Sequence, residues 1–356
     1  MVNNKFLLII IMFKKKSTPL NKMGKFGLIK YLTRDINYHQ FSSIVGIGDD
    51  AAVLDFKSNK TLISNNLFIE GIHFNLAYIP LRHLGYKSVI MSISDIYAMN
   101  AKPTQISLSI AVSNLFNLES IDEFYVGIKM ACNRYKIDLI EGDFHPSTSG
   151  MIISMTAIGA AKDIILRKGA RPNDLLIVSG DLGGAFLGLQ ILKREYEVFK
   201  INPGLHPELG GYEYILQRQL KPEAPKKILS IFNSINVKPT SMIDISDGLA
   251  SEVLHICDIN KLGCRLFETK LPIDPQTLLA CEEYQLNPSI AALSGGEDYE
   301  LLFSIAIKDY EKIKYQYNFS VIGYMTEKKE GAKIITKEGK LAYITAQGWD
   351  AFLKKH

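Results

Sequence analysis

Five times along its length this chain sets a carboxylate beside glycine or serine next to an apolar run. The stretches are GIGDDAAVL (46–54), SISDIYAM (92–99), EGD (141–143), MIDISDGL (242–249) and LSGGEDYELLF (293–303). Glycine lets the backbone turn sharply, so a carboxylate beside it is presented at the open end of a strand or helix. A single Asp-Gly is ordinarily a turn or a helix cap. Five such junctions in series are harder to explain as turns alone, and they mark where the chemistry of this chain is to be sought.

Between the junctions, strand-like and helix-like segments alternate. Residues 61–64 (TLIS) read as a strand and residues 80–99 as a helix. Residues 105–113 (QISLSIAVS) alternate apolar and polar, the period of a half-buried strand. Ser120 and Glu123 have capping-box spacing and predict a helix opening there and running to about Tyr135. Residues 137–141 and 151–160 read as strands, and 161–173 as a connection between domains. A second series opens with a strand at 175–180, a Gly-Gly turn at 183–184 into a helix, a loop at 203–211, and helices near 212–219 and 224–236. The expected class is α/β (α+β) with mixed sheets in two halves. The expected domains are an extension at 1–22, an N-terminal domain at 23–160 and a C-terminal α/β domain at 161–356.

The formal charge of +4 suggests a mildly basic protein, but its distribution says otherwise. Residues 1–34 hold eight basic side chains and no acid, leaving 33 basic against 37 acidic in the rest. A slightly acidic body argues against a broad nucleic-acid footprint. The apolar run FLLIIIMF (6–13) is far short of the roughly 20 residues a bilayer span needs. It resembles a short signal peptide but lacks a small-residue cleavage site. A dispensable extension, or a true start at Met12 or Met23, fits it better. No membrane partner is expected. Cys132, Cys257, Cys264 and Cys281 form no C-x-x-C pair, which predicts reduced, mostly buried thiols and a cytoplasmic protein.

Clustered hard oxygen ligands suit Mg²⁺, which takes one or two carboxylates together with substrate phosphates. Phosphoryl transfer uses such ions to neutralise the phosphate oxygens. Several other chemistries lack their motifs here: no Walker P-loop, no kinase HRD or DFG set, no G-x-S-x-G and no H-E-x-x-H occurs. A nucleotide would therefore be held through metal-bridged carboxylates and not by a glycine cradle.

In order, GIGDDAAVL, EGIHF (70–74), SDIYAMNAKP (94–103), EGD, RKGARPND (167–174), IDISDGL, SGGEDYELLF and GWDAF (348–352) resemble the thiamine-monophosphate kinase family. The wider superfamily contains aminoimidazole ribonucleotide synthetase and selenide water dikinase. The resemblance implies a two-domain PurM-like architecture: an N-terminal mixed-sheet domain that dimerises, and a C-terminal α/β domain that completes the active site. It implies transfer of the γ-phosphoryl group of ATP to thiamine monophosphate, several Mg²⁺ ions, ATP as co-substrate and a homodimer. The acceptor is already an anionic phosphate oxygen, so no dedicated catalytic base is expected. Asp50, Ser64, Asn65, Asn66, Asp95, Asp143, Asp244 and Asp247 fall at the family's metal positions. Gly142, Arg167, Ser246 and Tyr125 fall at its ATP positions, and His73, Glu297 and Trp349 at its thiamine positions.

The chain departs from the family at the expected metal site. Ser64-Asn65-Asn66 stands where a run ending in Asp is usual, so a charge is lost at Asn66. Glu141-Gly142-Asp143-Phe144-His145 brings a new charge and two rings where small residues are usual, and Glu141 is a candidate replacement for the lost charge. Two alternatives to an active kinase stay open. One is a non-catalytic paralogue binding nucleotide or thiamine phosphates. The other is a phosphotransferase of the same fold with another small phosphorylated acceptor.

Overall fold

The computed structural model describes residues 18, 31–45, 53–57 and 59–346. The extension at 1–22, apart from residue 18, lies outside that range, as do Asp50 and Trp349. The described chain divides into two compact units. One comprises Asn65–Val89 and Gln105–Thr156 with the described residues up to Asp55. The other comprises Phe56–Ser64, Ile90–Thr104 and the described residues from Ala157 onward.

The first sheet has four strands in the order β3 (Lys60–Ile69), β6 (Met151–Ala161), β4 (Lys102–Val112), β5 (Asp138–Pro146). A short pair precedes it: β1 (Ser43–Val45) and β2 (Val53–Leu54). Helices α1 (Leu81–Ala98) and α2 (Leu118–Tyr135) accompany the sheet. The period-two stretch at 105–113 lies in β4 as far as Val112, as its alternation predicts, and β4 pairs with β5 in parallel. The expected capping box is corrected by the structure. Asn117 caps α2, its Oδ1 accepting from the Ser120 amide at 2.9 Å, so Ser120 lies inside the first turn. Asparagine is among the best residues for this role, because the first amides of a helix lack partners within it.

The second sheet has seven strands, in the order β13-β12-β9-β11-β7-β10-β8. These are β7 (Leu175–Ser179), β8 (Ser241–Asp244), β9 (Leu262–Phe267), β10 (Leu301–Ile305), β11 (Phe319–Glu327), β12 (Ala332–Ile335) and β13 (Leu341–Tyr343). Helices α3 (Gly184–Ile201), α4 (Glu213–Leu220), α5 (Lys226–Ser234), α6 (Leu249–Asn260), α7 (Pro275–Glu283) and α8 (Pro288–Ser294) belong to the same unit. The central strands are apolar on both faces, and successive residues explain why. Leu176, Val178, Ile243 and Leu302 pack with Val253, Ile256 and Cys257 of α6. Their neighbours Ile177, Met242, Leu301 and Phe303 pack with Ile228 and Phe232 of α5. Helices thus cover both faces, and β8 ends at Asp244, ahead of the turn into α6.

All four cysteines are free and buried, in line with the sequence reading. No described helix is long and apolar enough to cross a membrane.

Candidate active site

In the larger unit, the carboxylates of two acidic junctions come under mutual influence. Asp95, from α1, accepts a hydrogen bond from the Ser64 hydroxyl. Asp244, the last residue of β8, accepts from the Ser94 hydroxyl at 2.7 Å. Asp244 is only 3% exposed. Burial, and then the charge of Asp95, push its carboxyl up to about 7, opposed by Ser94 and Arg167. Two hard carboxylates that repel one another, flanked by hydroxyls, form a donor set suited to a divalent cation. Among the described residues, no three His, Cys, Asp or Glu side chains gather closely enough to hold a metal by themselves. The pair matches the Mg²⁺ pattern of one or two protein carboxylates completed by substrate oxygens and water.

The remaining junction of this unit carries Tyr299, which is 2% exposed. Its phenol is held well above the ordinary range by burial first, then by Glu297, Asp244, Asp247 and Asp95. Four carboxylates from three sequence motifs therefore act on one buried ring. Glu252, in the first turn of α6, joins them. Its Oε1 accepts from the Asp247 amide at 3.1 Å, and burial with Asp244 and Asp247 raises its carboxyl to about 8.

Backbone bonds fix this gathering. The Glu297 amide donates to the Ser246 carbonyl at 2.7 Å, and the Tyr299 amide to that of Ile245 at 2.9 Å. The Ile245 amide donates back to Glu300 at 2.7 Å. Gly296 makes the approach possible: its φ is +71°, and a Cβ there would stand 2.6 Å from the Ser246 carbonyl oxygen. Glu297 and Tyr299 both take left-handed φ values, +59° and +52°. Such conformations persist where surrounding contacts over-determine them.

Those contacts come from the alternate residues, Asp298 and Glu300. Both Asp298 oxygens accept from the Gly183 amide, at 3.0 and 3.2 Å. Glu300 accepts from the Ser179 hydroxyl at 2.6 Å. Between them lies Arg218 of α4, with Nη1 3.1 Å from Glu300 and Nη2 bonded to the carbonyls of Asp181 and Asp298 at 2.9 and 3.2 Å. Burial raises Asp298 to about 7, with Arg218 opposing.

The smaller unit holds the other candidates. Tyr125 is buried on α2, and burial with the Glu141 charge holds its phenol above the ordinary range. A Cβ at Gly142 would lie 3.9 Å from the Tyr125 hydroxyl, so these two expected ATP positions are neighbours. Glu141 accepts from Ser107 at 2.6 Å. Asp143 Oδ2 lies 2.6 Å from His145 Nε2, and its Oδ1 accepts from the Phe144 amide at 2.8 Å. His73 is exposed, and its Nδ1 accepts from the Ile69 amide at 3.0 Å. Along β3 burial alternates: Asn65 lies on the exposed side with Ile63 and Leu67 and donates to Thr156 at 2.8 Å, while Asn66 is half-buried.

Known proteins share sequence and fold with this chain. The family model for AIR synthase related protein, N-terminal domain, matches residues 48–161. Thiamine-monophosphate kinase of Aquifex aeolicus is 32% identical over 288 residues, 80% of this chain and 87% of the relative. That of Bacillus subtilis is 30% identical over 93% of this chain and 100% of its own. The chain belongs to the thiamine-monophosphate kinase family. It is an enzyme of the kinase class. Among solved structures, AaThiL complexed with AMPPCP and TMP superposes with a TM-score of 0.72 at 29% identity, covering 95% of this chain and all of that one. The PurM-like fold expected from the sequence is thereby established.

Against this family background, Ser94, Glu252, Tyr299 and Arg218 are the residues that sequence reading passed over. Ser94 and Tyr299 sit inside quoted motifs, where a hydroxyl or a ring reads as filler. Glu252 is five residues past Asp247 and signals itself only as an acid in a helix's first turn.

Proposed function

We propose that the protein transfers the γ-phosphoryl group of ATP to thiamine monophosphate, giving thiamine diphosphate, by direct in-line transfer assisted by Mg²⁺. The observation that carries this reading is the packing of the Glu297 loop on the 244–247 turn, through the Glu297–Ser246 and Tyr299–Ile245 backbone bonds, next to the Ser94–Asp244 bond that adjoins Asp95. Asp95, Asp244 and Ser64 would hold Mg²⁺, with Asp50, Asn66, Asp143 and Asp247 as further ligands. Bound Mg²⁺ would neutralise phosphate oxygens and offset the repulsion between these carboxylates. Arg167 would fork onto phosphate, and Gly142, Tyr125 and Ser246 would line the nucleotide. Glu297 would accept from the aminopyrimidine, and Trp349 would stack on the cationic thiazolium. His73, its Nδ1 occupied by the Ile69 amide, would present Nε2 to substrate.

No residue is assigned as base, since the acceptor oxygen is already anionic. What the chain contributes is orientation and a pre-set field. We further propose a homodimer. The exposed side chains of Ile63 and Leu67 on β3, at one end of the four-stranded sheet, support it. The four free thiols support a reducing, cytoplasmic setting. A second reading, nucleotide binding without turnover, draws support from the neutral Asn66 and from the tie between Asp143 and His145. Incubation with ATP, Mg²⁺ and thiamine monophosphate separates the two: the kinase forms thiamine diphosphate, the binder does not.

A further inference from the structure

Arg167 sits on the connection between β6 and β7, and its side chain is exposed. Its placement therefore depends on what holds its backbone. On one side, the Leu166 carbonyl accepts from the Met242 amide of β8 at 3.0 Å. On the other, the holder is the side chain of Asn260, the last residue of α6. Its Oδ1 accepts from the amides of Gly169 at 2.7 Å and Ala170 at 3.1 Å. Its Nδ2 donates to the carbonyls of Arg167 at 2.9 Å and Ile256 at 2.8 Å.

A primary amide has two acceptor sites and two donor hydrogens. Asn260 uses all of them, three on the 167–170 loop and one on the preceding turn of its own helix. That fourth bond fixes the amide relative to α6, so the loop is held relative to α6 as well. Gly169 leaves the loop little slack: its φ is +141°, and a Cβ there would stand 2.2 Å from the Thr240 carbonyl oxygen. Helix α6 begins directly after Ser246, Asp247 and Gly248. Arg167 also directly follows Leu166, whose carbonyl is bonded to the amide of Met242, two residues before Asp244.

We propose that Asn260 is a positioning residue for the nucleotide, setting Arg167 relative to the acidic end of α6 through its four hydrogen bonds. The proposal rests on the reading of Arg167 as an ATP contact. It assigns one helix two tasks: Ser246 and Asp247 precede its first turn, and its last side chain sets the opposing cation.

The test is a double-mutant cycle on the full-length protein: wild type, N260A, R167A and the double variant. ATP binding with Mg²⁺ is measured by calorimetry, alongside KM for each substrate and kcat. N260A is expected to weaken ATP binding about fivefold, the size of one lost hydrogen-bonded contact. KM for thiamine monophosphate should stay within about twofold, and the substitution should add nothing in the R167A background. A loss of equal size in both backgrounds, or equal loss for both substrates, would mark Asn260 as merely structural and overturn the proposal. Wild-type ATP affinity in N260A with weakened R167A would overturn it too, leaving the reading of Arg167 intact. If R167A itself binds ATP like wild type, that reading fails and the proposal with it. Should N260A not fold, N260D, which keeps the two acceptor bonds and loses the two donors, must show the same ATP-selective loss.

Discussion

Arg218 and Glu300 face one another across the loop that carries Glu297, Nη1 to Oε1 at 3.1 Å, with side chains 12% and 14% exposed. Arg218 is also 3.6 Å from the fully buried Asp298 carboxylate. One cation thus balances two acids that flank Tyr299. Removing it leaves both carboxylates uncompensated. R218M should lower unfolding free energy by roughly 3–5 kcal/mol at pH 8, the cost of breaking a buried pair from one side. The deficit should shrink at pH 5, below the value of about 7 to which burial raises Asp298. Urea unfolding at the two pH values checks both statements.

Glu252 should make stability fall as pH rises. Its folded-state carboxyl titrates near 8 against an ordinary 4.5. Between those values the folded state holds a proton that the unfolded state has released, so stability declines across the window. E252Q keeps an acceptor for the Asp247 amide and cannot ionise. In Mg²⁺-free buffer it should match wild type near pH 4 and exceed it by pH 9, by on the order of a few kcal/mol. Thermal melts across the range would reveal a flat difference if Glu252 did not titrate in this way.

Asp244 faces a conflict between stability and turnover. D244N removes a buried charge that Asp95 repels. Without Mg²⁺ the variant should be more stable than wild type at pH 8, by about 1–2 kcal/mol. Its kcat should nevertheless drop on the order of a hundredfold or more, as when one group that stabilises transition-state charge is lost. Paired melting and rate measurements test this opposition.

Asn66 stands where the family usually has an acid. N66D should lower the Mg²⁺ concentration for half-maximal rate by on the order of tenfold, since affinity follows ligand charge. KM for thiamine monophosphate should not change. An unaltered Mg²⁺ requirement would mean that another group, such as Glu141, already supplies the charge.

The sequence disclosed most of the frame and only part of the site. The alternation at 105–113 announced β4, because one period fits only a strand. The junctions at 94–95, 244–247 and 297 announced carboxylates that all act on the buried Tyr299 phenol, holding it above its ordinary range. At the start of α2, Ser120 and Glu123 mimic a capping box while Asn117, three residues before Ser120, makes the bond. Arg218 and Asn260 were invisible for a different reason. Neither lies in a motif, and each takes partners 80 or more residues away as well as nearer ones. Spacing along a chain records turns and periods, not which distant carbonyl an amide will meet.

The most direct measurement combines the purified full-length protein with ATP, thiamine monophosphate and a Mg²⁺ series, and follows product by chromatography. Formation of thiamine diphosphate and ADP in equal amounts, dependent on Mg²⁺, is the expected result. Absence of thiamine diphosphate at every Mg²⁺ concentration, with ATP binding retained, would contradict it.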